Sequence, residues 1–307
     1  MRGVKFVASR VLGIVLTLFA VLTFTFTLTF AIPSDPARLI VGPKATPQQV
    51  ELVREELGLN DVMAVQFGRY LSNVAQGDLG FSHSQRMPVV EVIAERLPFT
   101  ALLAGAAIAF QIAVGVPLGL IGAARAGGVI DRVGLVGSLL VISLPSFWVG
   151  LLLLFSFSYV IPIFPLGGAS SPLSIVLPAI TLGLAGAAWT SRIMRSEAHE
   201  FLHGDVVRAL RAQGMRPAKI VGKHTLRAAA GPVLTMLAID LGYFLGGAVL
   251  IESVYSWPGI GLASFQALQQ NDIPLLMGCV IVGSLFILVL NLFADVARSR
   301  VDPRVTI

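Results

Sequence analysis

The chain has 307 residues, 55% of them hydrophobic and only 13% charged, with a formal net charge of +5 and a mean hydropathy of +0.84. Soluble domains carry about a quarter charged residues to cover their surface, so this composition excludes a water-soluble globular protein and makes lipid the solvent over much of its area. A single cysteine, Cys279, lies inside an apolar run, which excludes disulfides and a cysteine-ligated metal.

Val11 to Ile32 is an uncharged apolar run preceded by Arg2, Lys5 and Arg10. It is longer than the apolar core of a signal peptide and ends in Ile32-Pro33, not in small residues, so a retained first span is expected. In the following segment, Val62, Val65, Phe67, Tyr70, Leu71 and Val74 recur at helical spacing and predict an amphipathic helix packed on the bundle or lying at the membrane interface. Pro88, then Val89, Val90, Ile93 and Leu97, predicts a second short helix leading into the next span. Five further apolar runs follow: Phe99–Ala124, Val133–Tyr159, Leu173–Ser191, Val233–Ile251 and Leu275–Leu292. Each approaches or exceeds the ~20 residues that cross a ~30 Å hydrocarbon core. The expected fold is therefore an all-α membrane protein of six transmembrane helices. Pro117, Pro145 and Pro178 predict kinks that neighbouring helices must compensate. Gly115 with Gly119, and Gly246-Gly247, are expected sites of close helix approach.

The basic residues orient these spans. Sixteen of the 22 Lys and Arg fall in the N-terminus, the Ala124–Arg132 turn, the Arg192–Arg227 loop and the C-terminus. The other six, Arg38, Lys44, Arg54, Arg69, Arg86 and Arg96, lie in residues 33–98 together with eight acids, and the Val160–Pro172 and Glu252–Pro274 connections carry none. Under the positive-inside rule both termini are expected in the cytoplasm and residues 33–98 outside. The positive balance thus reports topology, and nucleic acid is not an expected partner.

The largest basic loop contains Asp205-Val-Val-Arg208-Ala209-Leu-Arg211-Ala-Gln-Gly214-Met215-Arg216-Pro217. Its first stretch, Asp205–Gln213, is a predicted helix stopped by Gly214. A second helix is expected to start at Arg216-Pro217, because Pro suits the first helical position. Two short helices meeting at a glycine form a rigid knuckle.

This loop resembles the signature loop of the membrane subunits of ABC importers. Only Ala209, Gly214 and Leu226 coincide with the general pattern, but the run is similar at most positions to the peptide-permease form, Tyr-Val-Arg-Thr-Ala-Arg-Ala-Lys-Gly-Leu. Gly77-Asp-Leu-Gly-Phe-Ser82, followed by Pro88-Val89 and Arg96-Leu-Pro98, resembles the outer segment of the same branch. Glu252-Ser-Val-Tyr-Ser-Trp-Pro-Gly-Ile-Gly261, with Asp272-Ile-Pro274, resembles its connection between the fifth and sixth spans. With the six spans the resemblance covers nearly the whole chain, and points to the B-like permease of a dipeptide/oligopeptide importer.

The resemblance implies a type I importer permease fold, with residues 1–32 as tail and first span, 33–98 as extracytoplasmic segment, and 99–307 as permease core with a cytoplasmic coupling loop at 192–232. It implies a sister permease, two cytoplasmic ATPase subunits and an extracytoplasmic peptide-binding protein, working by alternating access in a multi-pass cell-membrane complex. Asp205, Arg208, Ala209, Arg211, Gly214, Met215, Arg216 and Pro217 become the candidate ATPase-docking residues. Asp240, Tyr243 and Glu252 become candidates for the translocation pathway.

No stretch fits a phosphate-binding Gly-x-x-x-x-Gly-Lys-Ser/Thr loop, and Gly222-Lys223-His224 lacks the earlier glycine and the hydroxyl. No cofactor is expected on this chain, and ATP with Mg²⁺ would be held by partner subunits. A secondary transporter would use an acid such as Asp240 as its ion site, but no inverted repeat is evident. A membrane enzyme could use His199 and His203, spaced i, i+4, yet a third metal ligand is wanting. Peptides are the expected cargo, with nickel chelates or haem as alternatives.

Overall fold

Helices make up nearly all of the regular structure of the computed structural model, which describes residues 2–31, 36–41, 45–56 and 58–301. The end of the predicted first span at Ile32-Pro33, Lys44 and Arg304 lie outside these residues, as do the surroundings of Gly246-Gly247. In chain order the elements are α1 (Arg2–Ala31), α2 (Pro36–Val41), α3 (Pro47–Glu56), α4 (Met63–Ala75), the strands β1 (Phe81–Ser82) and β2 (Met87–Pro88), α5 (Val89–Ala124), α6 (Val129–Ser143) and α7 (Ser146–Leu154). They continue with α8 (Val176–His203), α9 (Asp205–Ala212), α10 (Pro217–Lys219), α11 (Leu226–Val254), α12 (Ile260–Gln269) and α13 (Ile273–Val301). Short π-helical turns, Phe155–Val160 and Ile220–Thr225, follow α7 and α10.

Among the described residues, three helical stretches are long and apolar enough to cross a bilayer unaided: Val89–Ala124, Pro172–His203 and Ile273–Leu292. Two bent pairs, Val129–Ser143 with Ser146–Val160 and Pro217–Phe244 with Ala248–Val254, raise the candidates to five, and α1 contributes the shorter apolar stretch Val11–Thr27. The expected single span Val133–Tyr159 is therefore broken, with an angle of 101° between its halves. Its cause is local. A residue before proline is driven out of the α region, and Leu144 sits at φ −90°, ψ 137° ahead of Pro145. By contrast, α5 and α8 run on through Pro117 and Pro178. The separate short helix expected after Pro88 is also corrected, since α5 continues unbroken from Val89 through Pro98 to Ala124.

The chain divides into two compact units, residues 3–98 with 259–286, and residues 99–258 with 287–307. In the first, the predicted amphipathic helix is α4, whose Phe67 packs on Phe19 and Phe26 of α1 and whose Tyr70 stacks on Phe26. Val89 and Ile93 share an apolar cluster with Leu275 and Cys279.

In the second unit α8 is the central helix, with its face from Leu177 to Ala198 largely buried. Glycine makes its contact with α5 possible. A Cβ on Gly115 would fall 2.7 Å from the Ala187 carbonyl oxygen, and one on Gly119 would fall 2.5 Å from that of Ser191. From the other side, a Cβ on Gly183 would fall 2.5 Å from the Ala107 carbonyl oxygen. Backbones can touch only where side chains are missing, and lipid supplies no hydrophobic drive to substitute for that contact.

Candidate coupling loop and buried polar sites

The basic loop forms two short helices. α8 ends at Gly204, and α9 starts at Asp205 and closes at Gly214, whose φ of +76° gives the left-handed helix stop that glycine accepts without strain. The Gly214 and Met215 N–H groups donate back to the Arg211 and Leu210 carbonyls at 2.9 and 3.1 Å, satisfying two carbonyls that the helix end would otherwise orphan. Pro217 then sits at the first position of α10. Val207 and Ile220, each about 1% exposed, anchor the knuckle.

The outer face of α9 is left without cover. Asp205, Val206, Arg208, Ala209, Arg211 and Ala212 are exposed. So are Gly214, Arg216 and Pro217, while Met215 is half-buried. The Arg208–Asp205 ion pair, 3.1 Å long, spans side chains that are 76% and 92% exposed.

The pathway candidates separate in space. Asp240 is buried in α11, where the Gln111 amide donates to its carboxylate and also, at 2.8 Å, to Thr190 Oγ1. That cluster ties α5, α8 and α11 through polar groups, and Gly186 makes room for Gln111, since a Cβ there would lie 2.7 Å from the amide. Tyr243, one turn away, is 64% exposed. Glu252 is fully buried and accepts a 2.7 Å hydrogen bond from Thr100 Oγ1. The residues after it are equally internal. The Tyr255 hydroxyl donates to the Gly150 carbonyl at 2.9 Å, and Trp257 Nε1 donates to the Phe99 carbonyl at 3.0 Å. At the base of α8, Arg195 forks onto the buried carboxylate of Asp131, with Nη2 to Oδ2 at 2.7 Å. His199 and His203 stack with ring centroids 4.2 Å apart, but His203 Nδ1 bonds the His199 carbonyl at 2.8 Å, which turns that nitrogen away from any shared metal.

One site was not read from the sequence. Asp272, 2% exposed, accepts from Ser82 Oγ (2.6 Å), Ser84 Oγ (2.6 Å) and the Ser84 N–H (2.9 Å), and its other oxygen caps α13 by accepting from the Leu275 N–H (3.3 Å). Asn271, in the left-handed region at φ +54°, presents it. Burial pushes the Asp272 carboxyl up, but the four donors outweigh it and hold the group below the ordinary carboxylate range. Ser82 and Asp272 each belong to a stretch whose family resemblance was visible. Their pairing across 190 residues of chain had no local signal.

The family described as binding-protein-dependent transport system inner membrane component matches residues 115–307, and the corresponding N-terminal membrane component family matches residues 3–104. The chain belongs to this family of inner membrane transport components. It is accordingly a multi-pass permease component and not an enzyme. The glutathione transport system permease proteins GsiC of Escherichia coli K12, Shigella dysenteriae serotype 1 and Salmonella paratyphi A are each 36% identical over 301 residues, covering 98% of this chain and 98% of theirs. Among solved structures, a chain of the inward-facing MetNI methionine ABC transporter superposes with a TM-score of 0.54 at 17% identity, covering 69% of this chain and 96% of that one. A second crystal form gives 0.56 at 16%. These likenesses carry the permease fold, and the family assignment rests on the sequence matches.

Proposed function

We propose that this chain forms half of the translocation pathway of an ATP-driven importer of short peptides, with six spans and both termini in the cytoplasm. In this reading a sister permease completes the pathway, an extracytoplasmic protein delivers the peptide, and two ATPase subunits dock on Asp205–Lys219. The observation that carries it is the α9–Gly214–α10 knuckle. A short helix held between α8 and α11 by Val207 and Ile220 transmits a push, while its uncovered cationic side chains offer a partner charge and the half-buried Met215 an adaptable apolar contact. ATP-driven closure of the ATPases would push the knuckle and open the pathway outward, and hydrolysis would reset it.

The GsiC relatives support the cargo class, because glutathione is itself a tripeptide. The test is uptake of labelled dipeptide, glutathione and longer oligopeptide in cells carrying or lacking the intact system, with Gly214→Trp alongside. The expected result is uptake of at least one peptide class, and a Gly214→Trp chain that inserts in the membrane yet loses uptake and co-purifying ATPase. Wild-type coupling in that variant would remove the docking role, and uptake of nickel chelates or haem alone would remove the peptide reading. Orientation is tested separately. A cysteine at Ser72 should react with an impermeant thiol reagent in intact cells and one at Ser196 should not.

A further inference from the structure

An apolar groove of about 430 Å³ runs between α5, α6 and α8 within the second unit, walled by Val114, Leu118, Val133, Gly137, Val141 and Leu184. Neither the polar clusters nor the knuckle uses it. We propose that it seats one acyl chain of an anionic phospholipid, whose phosphate is held at Arg192.

Length and lining fit a single acyl chain. Along α6 the groove extends from Ile130 to Val141, a rise of roughly 16 Å at 1.5 Å per residue. That matches one leaflet, about half of the ~30 Å hydrocarbon core. The groove also opens sideways, since Val129 and Val133 on its rim are 77% and 65% exposed. Gly134 and Gly137 shape its floor, and a Cβ on either would meet nothing within 4 Å.

Charge selects the head group. One end of the groove continues into a small cavity that shares Leu118, Ile130, Gly134, Ser138 and Ser191 and adds Asp131, Arg192 and Arg195. Arg195 is committed to Asp131. Arg192 lies with its guanidinium 5.4 Å over the Trp189 ring, and among the described residues no carboxylate forms an ion pair with it. Asp131 is the only acid between Gly122 and Arg195, against Arg125, Arg132, Arg192 and Arg195 itself. A tryptophan beside an arginine at the end of an apolar helix is an interfacial anchor, and basic pockets between membrane helices recognise anionic head groups.

The test uses the intact transporter, washed in mild detergent and examined by native mass spectrometry and lipid extraction after exposure to vesicles containing phosphatidylglycerol, phosphatidylcholine or both. Wild type should retain phosphatidylglycerol in preference to phosphatidylcholine. Arg192→Gln should retain about five-fold less of it, the change expected for one basic side chain near a head group, and Arg192→Lys should keep it. Gly137→Leu, whose Cβ meets no atom within 4 Å and whose side chain adds bulk to the groove lining, should lower bound lipid of both kinds. Equal retention by wild type and Arg192→Gln would overturn the proposal, as would equal retention of the two lipids. So would disulfide capture of a second protein chain by a cysteine at Gly137. If Gly137→Leu does not assemble, the Arg192 pair still decides. The readout is bound lipid, so it stands apart from whether peptides are the cargo.

Discussion

Two polar regions of this chain, the knuckle at Asp205–Lys219 and the clamp around Asp272, use their charges in opposite ways. In the knuckle, Asp205 and Arg208 pair with each other on an open surface, where water already solvates both and the pair adds little to stability. In the clamp, Asp272 is buried and accepts four hydrogen bonds on its two oxygens, so removing the carboxylate leaves two buried and two part-buried donors without that acceptor. The contrast teaches where to look for partners. Polar groups that are spent inside the chain hold it together, and those left uncovered are free to meet something else.

The largest expected effect is on the clamp. Asp272→Ala should lower the stability of the purified protein by about 3 kcal/mol, as for other hydrogen bonds to a buried charge, read as the loss in thermal or denaturant unfolding. An unchanged midpoint would break the comparison at its stronger side. Ser82→Ala should cost about 1.5 kcal/mol in the same assay, because the Ser84 hydroxyl and N–H remain on the carboxylate.

The clamp also has a pH signature. Its carboxyl titrates lower in the folded chain than in the unfolded one, so its contribution is fully present above the unfolded value of about 3.9 and is lost as pH falls through the folded value. Unfolding free energy should therefore decline below about pH 4 less steeply in Asp272→Asn than in wild type. Parallel curves would show that Asp272 is not the group responsible.

Smaller effects belong to the knuckle. Gly214→Ala should cost about 1 kcal/mol through its positive φ alone, since a Cβ there meets no atom within 4 Å. A loss several times larger would mean that the turn is packed and not open. Arg208→Ala is the smallest, with a shift in stability within the scatter of the measurement, as expected for an exposed pair. A clear stability loss there would erase the difference between the two regions. Loss of ATPase co-purification without that stability loss would sharpen it.

The sequence by itself determined the membrane class, the positions of the apolar runs, the amphipathic helix α4, and the helix–glycine–proline break at Ala212, Gly214 and Pro217. Each of these follows from composition, periodicity or the backbone preference of one residue, and such local causes act before any tertiary contact forms. Only the tertiary structure decided what the polar residues do. Asp240, Glu252 and Asp272 are all acids beside or inside apolar runs, and nothing local distinguishes them. Asp240 found Gln111, Glu252 found Thr100 and Asp272 found Ser82 because chain 129, 152 and 190 residues away returned to them. Likewise Pro145 broke its helix while Pro117, deep inside α5, did not. A proline inside a helix removes one hydrogen bond, and whether neighbouring helices compensate for it is a property of packing.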